Sequence, residues 1–222
     1  MKLFKTILRF FGWAFLLFAF YYIAFLKSFL MGWGSHKTER TNYYQGDSIV
    51  TNPGYVNTLA ITVDKAPSGI WPWIAQMGLN KAGFYTYTWL ENIFGCDLHN
   101  ANTIHPEWQN PKEGDYEPVC ASAAKNKMPG WTISIVNPGK ALVFRSIQDS
   151  SWTMGFYVDS INTTTSRLIT RMRYNTPNKF WEYIADKMWL EWAHCIMQRG
   201  SINGIKKRAE NNDPKISNSG TL

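Results

Sequence analysis

The first strong pattern along the chain is an unbroken apolar run, FFGWAFLLFAFYYIAFL from Phe10 to Leu26, bracketed by Lys2, Lys5 and Arg9 before it and Lys27 after it. As a helix rising about 1.5 Å per residue it would extend roughly 26 Å, near the thickness of a bilayer core. Phe29, Leu30, Met31 and Trp33 prolong it into the interface, where Lys27 can snorkel and Tyr21, Tyr22 and Trp33 tolerate headgroups. The run is longer than a usual signal-peptide core and ends in LKSFLMGWG, bulky where a signal peptidase needs small residues. A retained anchor is therefore expected: residues 1–36, with a single span of about 10–31. Basic residues nearly balance across the span, so the positive-inside rule leans only slightly toward a domain on the outer side and does not determine it.

A polar stretch, residues 37–55, reads as a linker closing on the Asn52-Pro53-Gly54 turn. From Val56 to Asp64, Leu59, Ile61 and Val63 alternate with polar neighbours, the period of a half-buried strand. Ile70–Met77 and Tyr85–Phe94 read as two short helices, and Gly95–Lys127 is irregular and punctuated by prolines. Alternation returns in four strands: around Trp131–Ile135, Ala141–Ser146, Trp152–Ile161 and Arg167–Tyr174. Tight turns between them predict an antiparallel meander. Thr176-Pro177 then reads as the opening of a long helix, a hydroxyl cap before proline at the first helical position. Trp181, Ile184, Met188, Trp192 and Cys195 recur at helical spacing, a stripe expected to face the sheet. Gly200 and Gly204 are expected to weaken this helix, which ends near Glu210; residues 211–222 form a polar tail. The order predicts an α+β helix-grip domain over residues 56–210, a curved sheet wrapped on a long C-terminal helix with a pocket between them. Because the first strand begins only at Val56, removing residues 1–36 is expected to leave that domain folded.

The chain has 222 residues, 45% of them hydrophobic and 18% charged, which suits one folded domain rather than disorder. The net charge of +7 is concentrated around the apolar run and at Lys206-Lys207-Arg208, and the middle carries no basic stripe, so nucleic acid is not an expected partner. Cys96, Cys120 and Cys195 lie far apart, which allows one bridge, leaves at least one thiol unpaired and leaves the compartment open.

The blocks IWPWIAQMG, AGFYTYTWLENIFGCDLHNANTIHPEWQ and Gly114-Asp115 resemble membrane-anchored members of the SRPBCC superfamily, the helix-grip group that includes START-like lipid carriers and polyketide cyclases. ALVFRS at Ala141–Ser146, HCIMQR from His194, GIKKRAE up to Glu210 and GDSIVTNP in the linker agree, so the resemblance runs from about Gly46 to Glu210. It implies an apolar cavity between sheet and helix but no particular reaction. The chain departs from the group just before His194, where KMWLEWA is unusually rich in tryptophan.

Ligand-binding candidates follow. Trp71 and Trp89 serve as cavity wall or core. Glu91 is a candidate buried acid, and Met188 and Trp192 belong to the closing helix. His99 and Asn100 are placed at a pocket rim, and Arg145 is a partner for an anionic head. Arg171 and Arg173, with Arg167 and Ile169, read as a solvent-exposed face. Cys96, Asp97, His99, His105 and Glu107 crowd one loop, but their spacing matches no tetrahedral site, so a structural loop is expected rather than a metal. No catalytic residue and no cofactor is assigned. The expected function is non-enzymatic binding of a lipid or other hydrophobic small molecule beside a lipid bilayer. The alternatives are an accessory subunit among other membrane protein subunits, and a cyclase- or hydrolase-like enzyme using Glu91, His99 or His105.

Overall fold

The computed structural model describes residues 2–93, 95–120, 130–147 and 151–211. Six strands form one antiparallel sheet in the order β1-β6-β5-β4-β3-β2. They are β1 (Tyr55–Val63), β2 (Tyr116–Pro118), β3 (Gly130–Asn137), β4 (Ala141–Ser146), β5 (Trp152–Ser160) and β6 (Ser166–Tyr174). The meander predicted from alternation is present, and β1 closes beside β6 with Leu59 opposite Thr170. β2 went unread because its three residues, Tyr116-Glu117-Pro118, are too few to show a period.

Alternation sends Leu142 and Phe144 of β4 and Phe156 and Val158 of β5 to one face. There they join Leu59, Leu168 and the helix α4 (Pro67–Ala75), which contributes Ile70, Trp73 and Ile74 to the main core. The intervening Ala141, Val143 and Tyr157 form a second, smaller cluster on the opposite face with Ala60, Ile169 and Tyr44. Tyr44 comes from the stretch expected as a polar linker. That stretch contains the short helix α3 (Lys37–Thr41) and is folded against the sheet, with Glu39, Tyr44, Asp47 and Val50 buried.

The arginines of β6 hold it there. Arg167 donates from Nε and Nη2 to the Glu39 carboxylate at 2.7 and 2.9 Å. Arg171 lies 3.2 Å from Asp47 and donates to the Asn42 carbonyl, and Arg173 donates to the Val50 carbonyl. The arginine row expected in solvent is therefore a clamp, with Arg171 buried. Its charge is compensated by the acids of the linker, which strand periodicity does not reveal.

At the other end, α1 (Lys2–Tyr21), a π-helical stretch Tyr22–Leu26 and α2 (Lys27–Met31) follow one another with helical angles at both junctions, so the backbone stays helical throughout. No helix among the described residues is long and apolar enough to cross a membrane. The single span expected from the sequence is not found as one element, because the run from Phe10 to Leu26 is divided between α1 and the π-helical stretch. Beyond α2 the chain docks on edge strand β1. The Ala60 amide donates to the Trp33 carbonyl at 3.1 Å, and a Cβ at Gly34, whose φ is +68°, would stand 2.1 Å from the Ala60 carbonyl oxygen. Covering the edge in this way removes a free strand surface.

The closing helix consists of α6 (Phe180–Ala185), a π-helical stretch Asp186–Leu190 and α7 (Glu191–Asn211). Thr176 does not cap it. The Thr176 side chain packs over Gly54, and the helix starts after Lys179. Of the expected inward stripe only Cys195 is buried; α7 continues the buried face with Ile202, Ile205 and Ala209, which the stripe did not include. Upstream, Trp181 and Met188 are exposed, whereas Asp186 and Glu191 are buried. A π turn inserts an extra residue, so a stripe counted at 3.6 residues per turn loses phase across it.

Candidate functional site

An apolar cavity of about 340 Å³ lies between the sheet, α5 (Thr88–Ile93) and α7. Its floor is buried: Phe84, Phe156 of β5, Met172 of β6, and Gln198 and Ser201 of α7. The partly exposed side chains at its open side are Leu90 and Glu91 of α5, Val119, Trp131, Met154, and Ala193, His194 and Met197 of α7. The disulfide Cys96–Cys120 ties the chain leaving α5 to the residue after Val119, so it joins two flanks of this mouth. The third cysteine, Cys195, is buried and free, with contacts to the Tyr55 hydroxyl at 3.2 Å and the Asn57 amide at 3.3 Å.

Few polar groups reach the cavity, and most are already engaged. The Ser201 hydroxyl donates to the Phe84 carbonyl at 2.5 Å, which also locks α7 to the segment before α5. Gln198 bonds Asn57 and accepts from Thr170. The Thr86 hydroxyl donates to the Glu91 carboxylate. Burial pushes the Glu91 carboxyl above the usual range, and the Thr86 hydrogen bond opposes only part of this. His194 packs edge-on against Trp152 with ring centroids 4.8 Å apart, and its Nε2 finds no hydrogen-bond partner among the described residues. Burial lowers its pKa to about 4, so the imidazole is neutral at ordinary pH. The cavity can therefore hold an uncharged apolar body and, with Glu91 among its lining, offer one carboxyl to a polar tip.

Of the eight side chains expected at the site, Glu91 lines the cavity. Asn100 stands one step behind it: its side chain accepts from the Tyr85 amide at 2.9 Å and donates to the Thr86 carbonyl at 3.0 Å, bracing the segment that presents Thr86. Trp71 packs against the main core, and Trp89 and Met188 are exposed. Trp192 donates to the Met188 carbonyl. Arg145 falls, by alternation, on the face opposite Phe144. His99 is exposed beside Asp97 at 3.2 Å. His105 stacks on Trp108 and contacts Thr103 and Glu107. Cys96 is consumed by the disulfide, and no group of three or more metal-ligating side chains that could hold an ion occurs among the described residues. His194 and Met197 were missed. They sit one turn apart on the closing helix, but nothing in the residue types at those positions marks them as lining a cavity rather than the core.

A second recess of about 440 Å³ lies between the end of β6 and the π-helical stretch Asp186–Leu190, walled by Tyr174, Asn175, Thr176, Asn178 and Asp186 among others. It is larger but more polar. The Asp186 carboxylate in it already accepts from the Tyr174 hydroxyl at 2.6 Å. The apolar cavity is the better ligand site.

No protein-family model matches the chain. No curated protein matches it. Solved structures do. Protein BH1534 of Bacillus halodurans is 8% identical over 71% of this chain and 99% of its own, with a TM-score of 0.42. The Aha1 dimer protein of Colwellia psychrerythraea is 12% identical over 70% of this chain and 96% of its own, with a TM-score of 0.38. A Polyketide_cyc-like protein of Corynebacterium glutamicum is 10% identical over 69% and 86%, with a TM-score of 0.32. At such identities the similarity to these polyketide cyclase-like and Aha1 proteins is one of fold alone, the helix-grip arrangement of a six-stranded antiparallel sheet on a long C-terminal helix.

Proposed function

We propose that this protein binds a lipid or another hydrophobic small molecule in the cavity between sheet and α7, without transforming it, beside a membrane that holds its N-terminal helix. The observation that carries the binding reading is the cavity itself, apolar, about 340 Å³ and floored by Phe84, Phe156 and Met172. This volume falls within the range of small-molecule sites. The tryptophans before His194 leave it unfilled, which favours a binder over an accessory subunit with a packed interior.

The membrane reading rests on the helical backbone that continues from Lys2 to Met31 and on the exposure along it of Phe10, Phe11, Trp13, Leu16, Leu17 and Phe20. Water is a poor solvent for such a surface. A disulfide at Cys96–Cys120 favours an oxidising compartment for the domain, on the side to which the basic start of the chain also leans.

Filling the cavity tests the proposal. Ala193→Trp places an indole among the lining residues. Full-length protein in mild detergent is expected to enhance the fluorescence of the uncharged dye Nile red, and to carry a lipid adduct in native mass spectrometry. The variant is expected to lose both while retaining its melting temperature. Dye binding that is unchanged in a folded Ala193→Trp variant would place the ligand elsewhere and sink the proposal.

A further inference from the structure

Among the described residues outside α1, the segment from Phe180 to Leu190 carries a dense run of exposed large hydrophobic side chains. Phe180 is 66% exposed, Trp181 77% and Trp189 63%, with Met188 and Leu190 beside them. Two charges of the same segment, Asp186 and Lys187, are turned away from this face. Asp186 is buried against Tyr174, and Lys187 reaches inward to Glu191 and Asp186. Lys179 and Glu182 pair with each other at 3.0 Å. An exposed apolar face from which Asp186 and Lys187 are turned inward, and whose exposed acid Glu182 is paired with Lys179, is the reverse of what contact with water selects.

The contacts between α7 and the N-terminal helix fix which way this face lies. Lys27 forms an ion pair with Glu191 at 2.7 Å. Leu30 and Met31 pack on the cluster that contains Cys195. Farther on, the Arg199 guanidinium lies over the Trp33 ring, 4.4 Å from its centroid. Both chains advance together through these three contacts, so the helices run parallel. Traced backward from Lys27, one strand of the pair is the apolar run from Leu26 toward Phe10. Traced backward from Glu191, the other is the exposed segment from Leu190 to Phe180, about 15 Å at 1.5 Å per residue.

We infer that Phe180–Leu190 is a second membrane-contacting element, laid beside the N-terminal anchor in the headgroup and upper acyl region of the same phospholipid bilayer. The inference rests on the anchoring reading above. It places Trp181, Tyr183 and Trp189 where aromatic residues with one polar atom are most stable. It also brings the cavity mouth at Ala193, His194 and Met197, the first turns of α7, close to the lipid surface. A hydrophobic ligand then passes between bilayer and cavity without crossing bulk water.

The test places a fluorophore at single positions of the full-length chain on phosphatidylcholine vesicles. Trp181→Cys and Trp189→Cys are each labelled with a nitrobenzoxadiazole dye, with Ile161→Cys in the exposed β5–β6 turn as the reference. Cys96 and Cys120 are bridged and Cys195 is buried, so the unsubstituted chain serves as the labelling blank. Vesicle flotation is scored first. The expected result is that all chains float, that labels at 181 and 189 shift to the blue and are quenched by spin-labelled lipid, and that the label at 161 responds only to aqueous iodide. Floating chains whose labels at 181 and 189 behave like the one at 161 would overturn this inference and leave the anchor standing. Labels shielded from both quenchers would overturn it in favour of a protein partner on this face. A chain that stays in the lower fraction would remove the anchor and this inference together. Using two positions guards against one substitution that fails to fold.

Discussion

His194 shows how much a single side chain can depend on its surroundings. In the unfolded chain an imidazole takes up its proton near pH 6.5. In the fold, burial holds the pKa at about 4. Between these values the unfolded state binds more protons than the folded one, so stability falls as the pH drops through that window and recovers above it. The His194→Gln variant keeps a polar side chain of similar reach and loses this titration. Its melting temperature is expected to vary less with pH between about 6.5 and 4 than that of the unsubstituted protein. Scanning calorimetry across that range gives the comparison, and parallel curves would mean that the imidazole is solvated. None of this was readable from the sequence, where a histidine on an apolar helix face has no distinguishing mark. The arginines of β6 show the converse. Their shared face followed from the two-residue period, but whether that face met water depended on Glu39 and Asp47, more than a hundred residues away. Glu39 gives the same account from the acid side: burial raises its pKa, but the Arg167 and His36 hydrogen bonds outweigh this and leave it lowered.

Among the elements, strands β3 to β6 were legible because each has one face in the main core and several tight turns separate them. The closing helix was legible in existence and in its C-terminal end, and illegible in phase. Periodicity assumes one helical repeat, and the π-helical stretch at Asp186–Leu190 breaks that assumption in the middle of the stripe. The glycines of α7 were also misread. Read as weak points, Gly200 and Gly204 are instead the places where the chain before α5 crosses the helix. A Cβ at Gly204 would stand 2.3 Å from the Tyr85 carbonyl oxygen, and one at Gly200 would stand 2.8 Å from the Tyr87 ring. Substituting alanine for glycine in an exposed helix stabilises by about 1 kcal/mol. At Gly204 the backbone contact must open, and the Ser201–Phe84 hydrogen bond is strained with it. Gly204→Ala is therefore expected to lose about 1–3 kcal/mol, the range for overpacking a close-packed interior. Denaturant unfolding decides the sign. A stabilised Gly204→Ala variant would show that the crossing is loose and that the cavity floor it supports is not fixed by α7.

For the whole molecule, the division into anchor, linker and domain followed from composition, and composition does not report tertiary contact. The apolar run, the polar stretch and the alternating strands were each visible, but the docking of one on another was not. Leu30 and Met31 pack with Tyr55, Met172 and Tyr174, and Trp33 reaches both the β1 edge and Arg199. The last turns of the N-terminal helix are thus built into the domain, while its earlier part projects from it. Two truncations separate these parts. Removal of residues 1–26 takes away the projecting length and leaves the docked side chains in place. Removal of residues 1–36, which the strand boundaries alone predict to be harmless, strips Leu30, Met31 and Trp33 and reopens the edge of β1. Loss of these partly buried side chains is expected to cost about 2–3 kcal/mol. For a domain of this size that lowers the melting temperature by roughly 5–10 °C. Circular dichroism melts of both truncations in one mild detergent supply the test. The shorter deletion should melt cooperatively near the full-length value, with the longer one below it by that margin. Coincident melts would mean that the docked turns add nothing to the fold. The parallel pairing of Lys27 with Glu191 and Trp33 with Arg199 would then be too weak to hold Phe180–Leu190 beside the N-terminal helix.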